Sequence, residues 1–191
     1  MAAMTVGFPR RYRITAEEYF RMGETGVLAP DARVELIEGE LIEMAPIGPS
    51  HASTVERLAD LLRRALGDRA MFRTQQPSVV GKYSVPQPDV TVVIRRNDYY
   101  AEAHPAPADV LLAVEVADST LRFDRDVKTA MYARSGVQEV WVVDVVAQRV
   151  MRSTSPQNGV YAETATLGVG ESIGIGAFPD VRIDLSAIFP D

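Results

Sequence analysis

The run Val110–Val116 is apolar at every position except Glu115. A strand that is apolar on both faces fits only the middle of a sheet covered on both sides. A second run, Val140–Val143, makes the same demand. The chain must therefore supply helices to both faces of a sheet, which is the layering of an α/β sandwich. Glu115 is the exception inside this frame. An ionised carboxylate buried in a strand core requires a cation, a bound proton or a water-filled cleft.

The rest of the chain reads in an order that meets the demand. Thr15-Ala16-Glu17-Glu18 has the form of a capping box and predicts a short helix to about Gly23. Arg33–Met44 reads as a hairpin turning at Glu38-Gly39. Ser50 is placed to cap a helix over His51–Leu66, with Val55, Leu58, Ala59, Leu62, Ala65 and Leu66 as its apolar stripe and Gly67 as its stop. Strands are expected at Met71–Gln75, continuing near Ser78–Val80, then at Asp89–Ile94 and Val110–Val116. A helix over Phe123–Ser135 ends at Gly136, and a strand over Val137–Val145 can pair with Arg149–Ser153. The end reads as a hairpin of Tyr161–Leu167 and Ile173–Ile175 about a glycine-rich turn. A length of 191 residues suits one domain. It divides into an N-terminal helix and hairpin (1–45), a core (50–145) and a C-terminal β extension (146–191).

Composition narrows the chemistry. There is no cysteine, which excludes disulfides, thiol catalysis and iron–sulfur clusters, and two histidines are too few for a histidine-rich metal site. The net charge of −6 argues against a nonspecific nucleic-acid coat. Residues 50–100 alone carry +3, which fits either a phosphate-facing surface or a solvated face. Of the 20 basic residues only Lys82 and Lys128 are lysine, so lysine stands out where it is kept. The start of the chain has no apolar run before its arginine pair, no other run is long enough to span a membrane, and a cytoplasmic protein is expected.

Side chains that alternate along strands put Asp89, Thr91 and Val93 on one face, and Leu111, Ala113 and Glu115 on one face of the next strand. If those strands are neighbours, Asp89 and Glu115 converge, and two carboxylates suit magnesium or manganese. The plainer alternatives are a strand-entry aspartate after Pro88 and a Glu115 paired with an arginine. Asp124 and Lys128 are four apart on the expected helix. They form a surface ion pair, or they bring Lys128 to the same cleft. His51 is a helix-start residue or a contact to an anion or metal-bound water. Glu40, with Glu35, Glu38 and Glu43 around it, reads as solvated charge. The glycines at 168, 170, 174 and 176 do not have dinucleotide-loop spacing, and no βα unit follows them.

Several stretches together resemble a known family. These are Gln87-Pro88-Asp89-Val90, Val114 to Thr120, Asp124 with Lys128, and Tyr132 to Asp144. Val34 to Glu40, Ser50-His51 and, more loosely, Phe178–Ile188 add to them. The combination is similar to the Uma-type restriction-endonuclease family, a branch of the PD-(D/E)XK nuclease superfamily, over most of residues 12–188. The resemblance implies an α/β restriction-endonuclease-like core of helix, three strands, helix and strand. Its central sheet would be mixed, with extra N- and C-terminal hairpins. It implies that Asp89 and Glu115 bind a magnesium or manganese ion together with the backbone carbonyl of Val116. The lysine expected two positions after the glutamate is replaced by Ala117, and the family's displaced lysine maps onto Lys128. Glu40, His51 and Asp124 become supporting candidates.

The expectation that follows is a magnesium-dependent endonuclease hydrolysing DNA phosphodiester bonds, as a homodimer or higher homo-oligomer, a dimer being favoured for cutting both strands. The alternatives are a non-catalytic nucleic-acid or protein binding module on the same scaffold, or a partner protein of a toxin or mobile-element system.

Overall fold

The computed structural model describes residues 11–189. Its centre is a six-stranded mixed sheet of β3 (Met71–Thr74), β4 (Val90–Val93), β5 (Val110–Ala117), β6 (Glu139–Asp144), β7 (Arg149–Gln157) and β8 (Val160–Gly168), in that spatial order. Only β5 and β6 run parallel, and the helical segment between them is the crossover that a parallel pair requires. Helix α1 (Ala16–Glu24) and the hairpin of β1 (Val34–Ile37) and β2 (Glu40–Glu43) precede the sheet's first helix, α2 (Pro49–Leu66). A hairpin of β9 (Ser172–Ile175) and β10 (Phe178–Asp184) closes the chain.

The two faces of the sheet bury different partners. Val55, Leu58, Leu62 and Leu66 of α2, with Ile173, Ile175 and Ile183 of the last hairpin, pack on Val90, Val92, Leu112, Val114, Trp141 and Val143. On the opposite face Met131 and Tyr132, with Ile37 and Val80, pack on Val93, Ala113, Ala117, Val140 and Val142. Those last helical residues belong to α3 (residues 121–135), an α-helix interrupted by a π turn over Asp124–Lys128. The mixed sheet, the two covering layers and the terminal hairpins agree with the sequence expectation.

Local chemistry explains the ends that agree and those that differ. Thr15 and Glu18 form the reciprocal capping box at α1. Helix α2 starts two residues earlier than expected, because Gly48 is its N-cap and Pro49 opens it; the Ser50 side chain does not cap. Ser78–Val80 does not continue β3. Gln75 turns at φ 50°, and the chain then crosses to the N-terminal hairpin, where Val85 bridges Leu36. The C-terminal pairing also differs: β8 pairs with β7, while β9 pairs with β10. Leu111 leaves the expected alternation because β5 carries one extra residue against β4 between Leu112 and Val110, and it packs toward the α2 layer. Most basic residues of the 50–100 stretch lie at the surface, with Arg73 half-buried. Arg57, Arg63 and Arg64 are exposed on α2, and Arg69, Arg95 and Arg96 pair with Asp180, Asp68 and Asp98. Among the described residues no helix is long and apolar enough to cross a membrane.

The tip of the first hairpin is the tightest backbone approach of this region. Gly39 has φ 89°, and a Cβ placed there would lie 2.6 Å from Arg13 Cβ and 3.0 Å from its Cα. Gly39→Ala is expected to cost about 2 kcal/mol or more, from left-handed strain together with the clash. Urea denaturation of the variant against the wild type measures it.

Candidate active site

The C-terminal end of β5, the residue before β4, the hairpin strand β1 and helix α3 meet at one cleft of about 270 Å³. Its lining includes Glu35, His51, Gln75, Gln87, Asp89, Glu115, Val116, Asp118, Asp124 and Lys128. Alternation sends Val114 toward α2 and Glu115 toward α3. Glu115 is only 3% exposed. Its Oε1 accepts from the Tyr132 hydroxyl at 2.6 Å and its Oε2 from Lys128 Nζ at 3.1 Å.

Lys128 lies among three carboxylates. Its Nζ is 2.9 Å from Glu35, 3.1 Å from Glu115 and 3.8 Å from Asp124, and the side chain is almost wholly buried. The π turn shapes this contact. Thr129 N–H reaches back five residues to the Asp124 carbonyl, which also accepts from Thr129 Oγ1 at 2.9 Å. Asp124 and Lys128 are both buried on the face toward the sheet. Asp124 is steadied by Thr120 Oγ1 at 2.6 Å, and Glu35 accepts the Gln87 backbone N–H at 3.2 Å.

Asp89 joins from the start of β4. Its Oδ2 accepts the Val116 N–H at 2.8 Å and lies 3.3 Å from His51 Nε2, and its Oδ1 accepts from Gln75 Nε2 at 3.1 Å. Asp89 is thus tied to the residue that follows Glu115, and the two carboxylates flank one opening.

Electrostatics follow from one ammonium serving three acids. Burial pushes the Glu115 carboxyl up to about 8, with Lys128 pulling against it and Asp124, Glu35 and Asp89 adding to the rise. Burial also raises Asp124. For Lys128, burial works to lower the pKa, but Glu115, Glu35 and Asp124 outweigh it and hold the group above its ordinary value. Every one of these shifts favours a bound proton, so the cluster is short of positive charge. His51 is raised chiefly by its hydrogen bond to Asp89, against burial. Its Nδ1 is buried without a protein partner.

This donor chemistry fits a hard divalent cation, since carboxylate and carbonyl oxygens predominate and the charge deficit calls for one. Among the described residues no three histidine, aspartate or glutamate side chains form a ready-made metal cage. Asp89, Glu115 and the Val116 carbonyl are the groups that could hold such an ion, with water or substrate oxygens completing its shell.

Six of the seven sequence candidates, Asp89, Glu115, Val116, Lys128, His51 and Asp124, line this cleft. Glu40 does not. It shares the hairpin face of Ile37 and Glu35 but sits beside the turn, 63% exposed and 3.4 Å from Arg11. The buried hairpin acid is Glu35, which the sequence reading takes only as one of the charged neighbours of Glu40. Its signal was available: like Glu115, it sits within an apolar strand, Val34-Glu35-Leu36-Ile37. Tyr132, Gln75 and Gln87 were not singled out either, because their partners are distant in sequence.

Comparisons with known proteins agree with this architecture. A family model described as "Uma2: Putative restriction endonuclease" matches residues 16–186. A crystal structure of a protein from Anabaena variabilis ATCC 29413, described as a putative nuclease belonging to DUF820, superposes with a TM-score of 0.70. The two are 17% identical, over 92% of this chain and 97% of that one. No curated protein matches the sequence.

The charge deficit has a measurable consequence. A carboxyl raised by folding contributes stability that is fully present below its unfolded value and is lost as pH rises through its folded value. For Glu115 that window runs from 4.5 to about 8, and the raised His51 acts in the same direction. Unfolding free energy is therefore expected to fall by more than about 1 kcal/mol between pH 5 and 8. Glu115→Gln should flatten most of that fall in urea titrations across the range.

Proposed function

The chain belongs to the Uma2 restriction-endonuclease family, and on that premise we propose that it is a divalent-metal-dependent endonuclease hydrolysing phosphodiester bonds of DNA. The observation that carries this reading is the cleft in which Asp89 and Glu115 flank one opening with Lys128 against Glu115. A bound magnesium or manganese ion would supply a lowered water pKa and neutralisation of phosphate charge.

The protein groups then have separable tasks. Asp89 and Glu115 would hold the ion through carboxylate oxygens, with the Val116 carbonyl as a third ligand. Gln75, His51 and the Val116 N–H orient Asp89. Tyr132 fixes the rotamer of Glu115 by donating to Oε1. Lys128 offers its ammonium to the attacking water or to the negative charge developing on the phosphoryl oxygens. Glu35 and Asp124 hold that ammonium in place. Hydrolysis adds water across the P–O ester bond, leaving one phosphate monoester and one alcohol. The family's description suits a DNA substrate.

The test is cleavage of supercoiled plasmid and linear duplex DNA with magnesium or manganese. Asp89→Asn, Glu115→Gln and Lys128→Met are each expected to lower the rate at least about 100-fold. Circular dichroism should show the fold retained. Glu115→Gln should also weaken manganese binding in titration calorimetry, whereas Glu40→Gln should leave both readouts unchanged. Cleavage that survives all three substitutions would overturn the mechanism. DNA binding without metal and without any cleavage would favour the non-catalytic binding module.

A further inference from the structure

The two edges of the central sheet are built differently. Edge strand β3 is four residues long, and Gln75 ends it with a left-handed turn. The opposite edge, β8, is nine residues long and pairs with β7 from Arg149↔Gly168 to Gln157↔Val160 without a register shift. Residues 162–166 of β8 are exposed in succession, so solvent reaches both of its faces. The outward backbone groups of β8 have no strand partner among the described residues.

Edge strands are ordinarily protected by bulges, prolines, inward charges or extra cover. From Val160 to Leu167, β8 has no proline and no glycine, and Glu163 is its single charge. Its sequence is also self-complementary. An antiparallel copy related by a two-fold axis at Thr164 places Thr164 opposite itself, Glu163 opposite Ala165, and Ala162 opposite Thr166. Tyr161 then meets Leu167. Threonine pairs are favourable across strands, and no like charges stand directly opposite each other, the two Glu163 side chains being diagonal neighbours.

We propose that β8 is the dimer interface of this protein. It would pair with β8 of a second copy about Thr164 and join two six-stranded sheets into one continuous sheet. An isologous edge of this kind closes after two chains and leaves no free β8 edge for further growth. The proposal stands independently of the nuclease reading, since the cleft residues are not part of it.

The chain has no cysteine, so Thr164→Cys introduces a single reporter. Residues opposite each other in an antiparallel pair have Cα atoms about 4.5–5.5 Å apart, within disulfide reach. Mild oxidation is expected to give a covalent dimer that reductant reverses, while Ala147→Cys, on an exposed turn, gives none. In sedimentation equilibrium at micromolar concentration the wild type should be dimeric. Thr164→Lys, which sets two like charges on the axis, should weaken the dimer at least about tenfold with an unchanged circular dichroism spectrum. A monomeric wild type, or a dimer indifferent to Thr164→Lys, would overturn the proposal. A monomer whose β8 instead pairs with an extended peptide would do the same.

Discussion

Everything in this molecule is arranged around the need to keep Glu115 in the interior. A carboxylate in a central strand carries a desolvation cost of several kcal/mol unless cations and hydrogen bonds meet it. Three separate pieces of chain are committed to that task. Helix α3 brings Lys128 and Tyr132 down onto the sheet, and its π turn keeps Asp124 beside Lys128. Strand β1 adds Glu35, which holds the ammonium from the other side. The parallel β5–β6 pair forces a crossover, and that crossover is the helix that carries the lysine. Topology and charge compensation are therefore one constraint seen at two scales.

The compensation is incomplete, and the incompleteness has a location. One ammonium meets three carboxylates within 4 Å, with Asp89 adding a fourth acid at the same opening. A protein selected only for stability would replace such a cluster with apolar side chains, often at a gain. Retaining it, with its acids driven toward protonation, is the pattern expected where affinity for a cation or for developing charge is set against stability. The same cluster thus links the pH dependence of folding to the proposed chemistry.

Much of this was legible before any coordinates. The doubly apolar strands placed β5 and β6 at the centre, and an embedded glutamate with a preceding Pro-Asp marked the cleft. Local capping rules found α1, because Thr15 and Glu18 act on each other. They misplaced the cap of α2 at Ser50, since Gly48 and Pro49 open that helix without a side-chain bond. What was hidden depended on partners far along the chain. Glu35 and Glu40 share one face of the hairpin, and which of them is covered depends on packing against residues about fifty positions later, where the Gln87 backbone N–H donates to Glu35. The pairing of β8 with β7 rather than β9 is likewise a choice between neighbours that periodicity does not distinguish. The extra residue in β5 moved Leu111 but left Glu115 on its expected face, because the bulge precedes the site.

The scarcity of lysine is the subtlest of the legible signals, and the structure shows why it worked at one position only. Lys82 lies on the surface, its ammonium 5.3 Å from the Tyr83 ring centre, in a role that Arg13 shares at 4.2 Å from the same ring. Nothing there requires lysine. At Lys128 the carboxylates approach a single nitrogen from a strand, from a hairpin and from the helix itself. An ammonium directs three donors in different directions from one point, which suits acids gathered around it. A guanidinium is a planar fork that grips one carboxylate from the side and needs more room. In a chain that uses arginine for eighteen of its twenty basic residues, Lys128 stands where a compact charge suits the acids around it. That compactness also leaves space beside Glu115 for a cation or a phosphate oxygen.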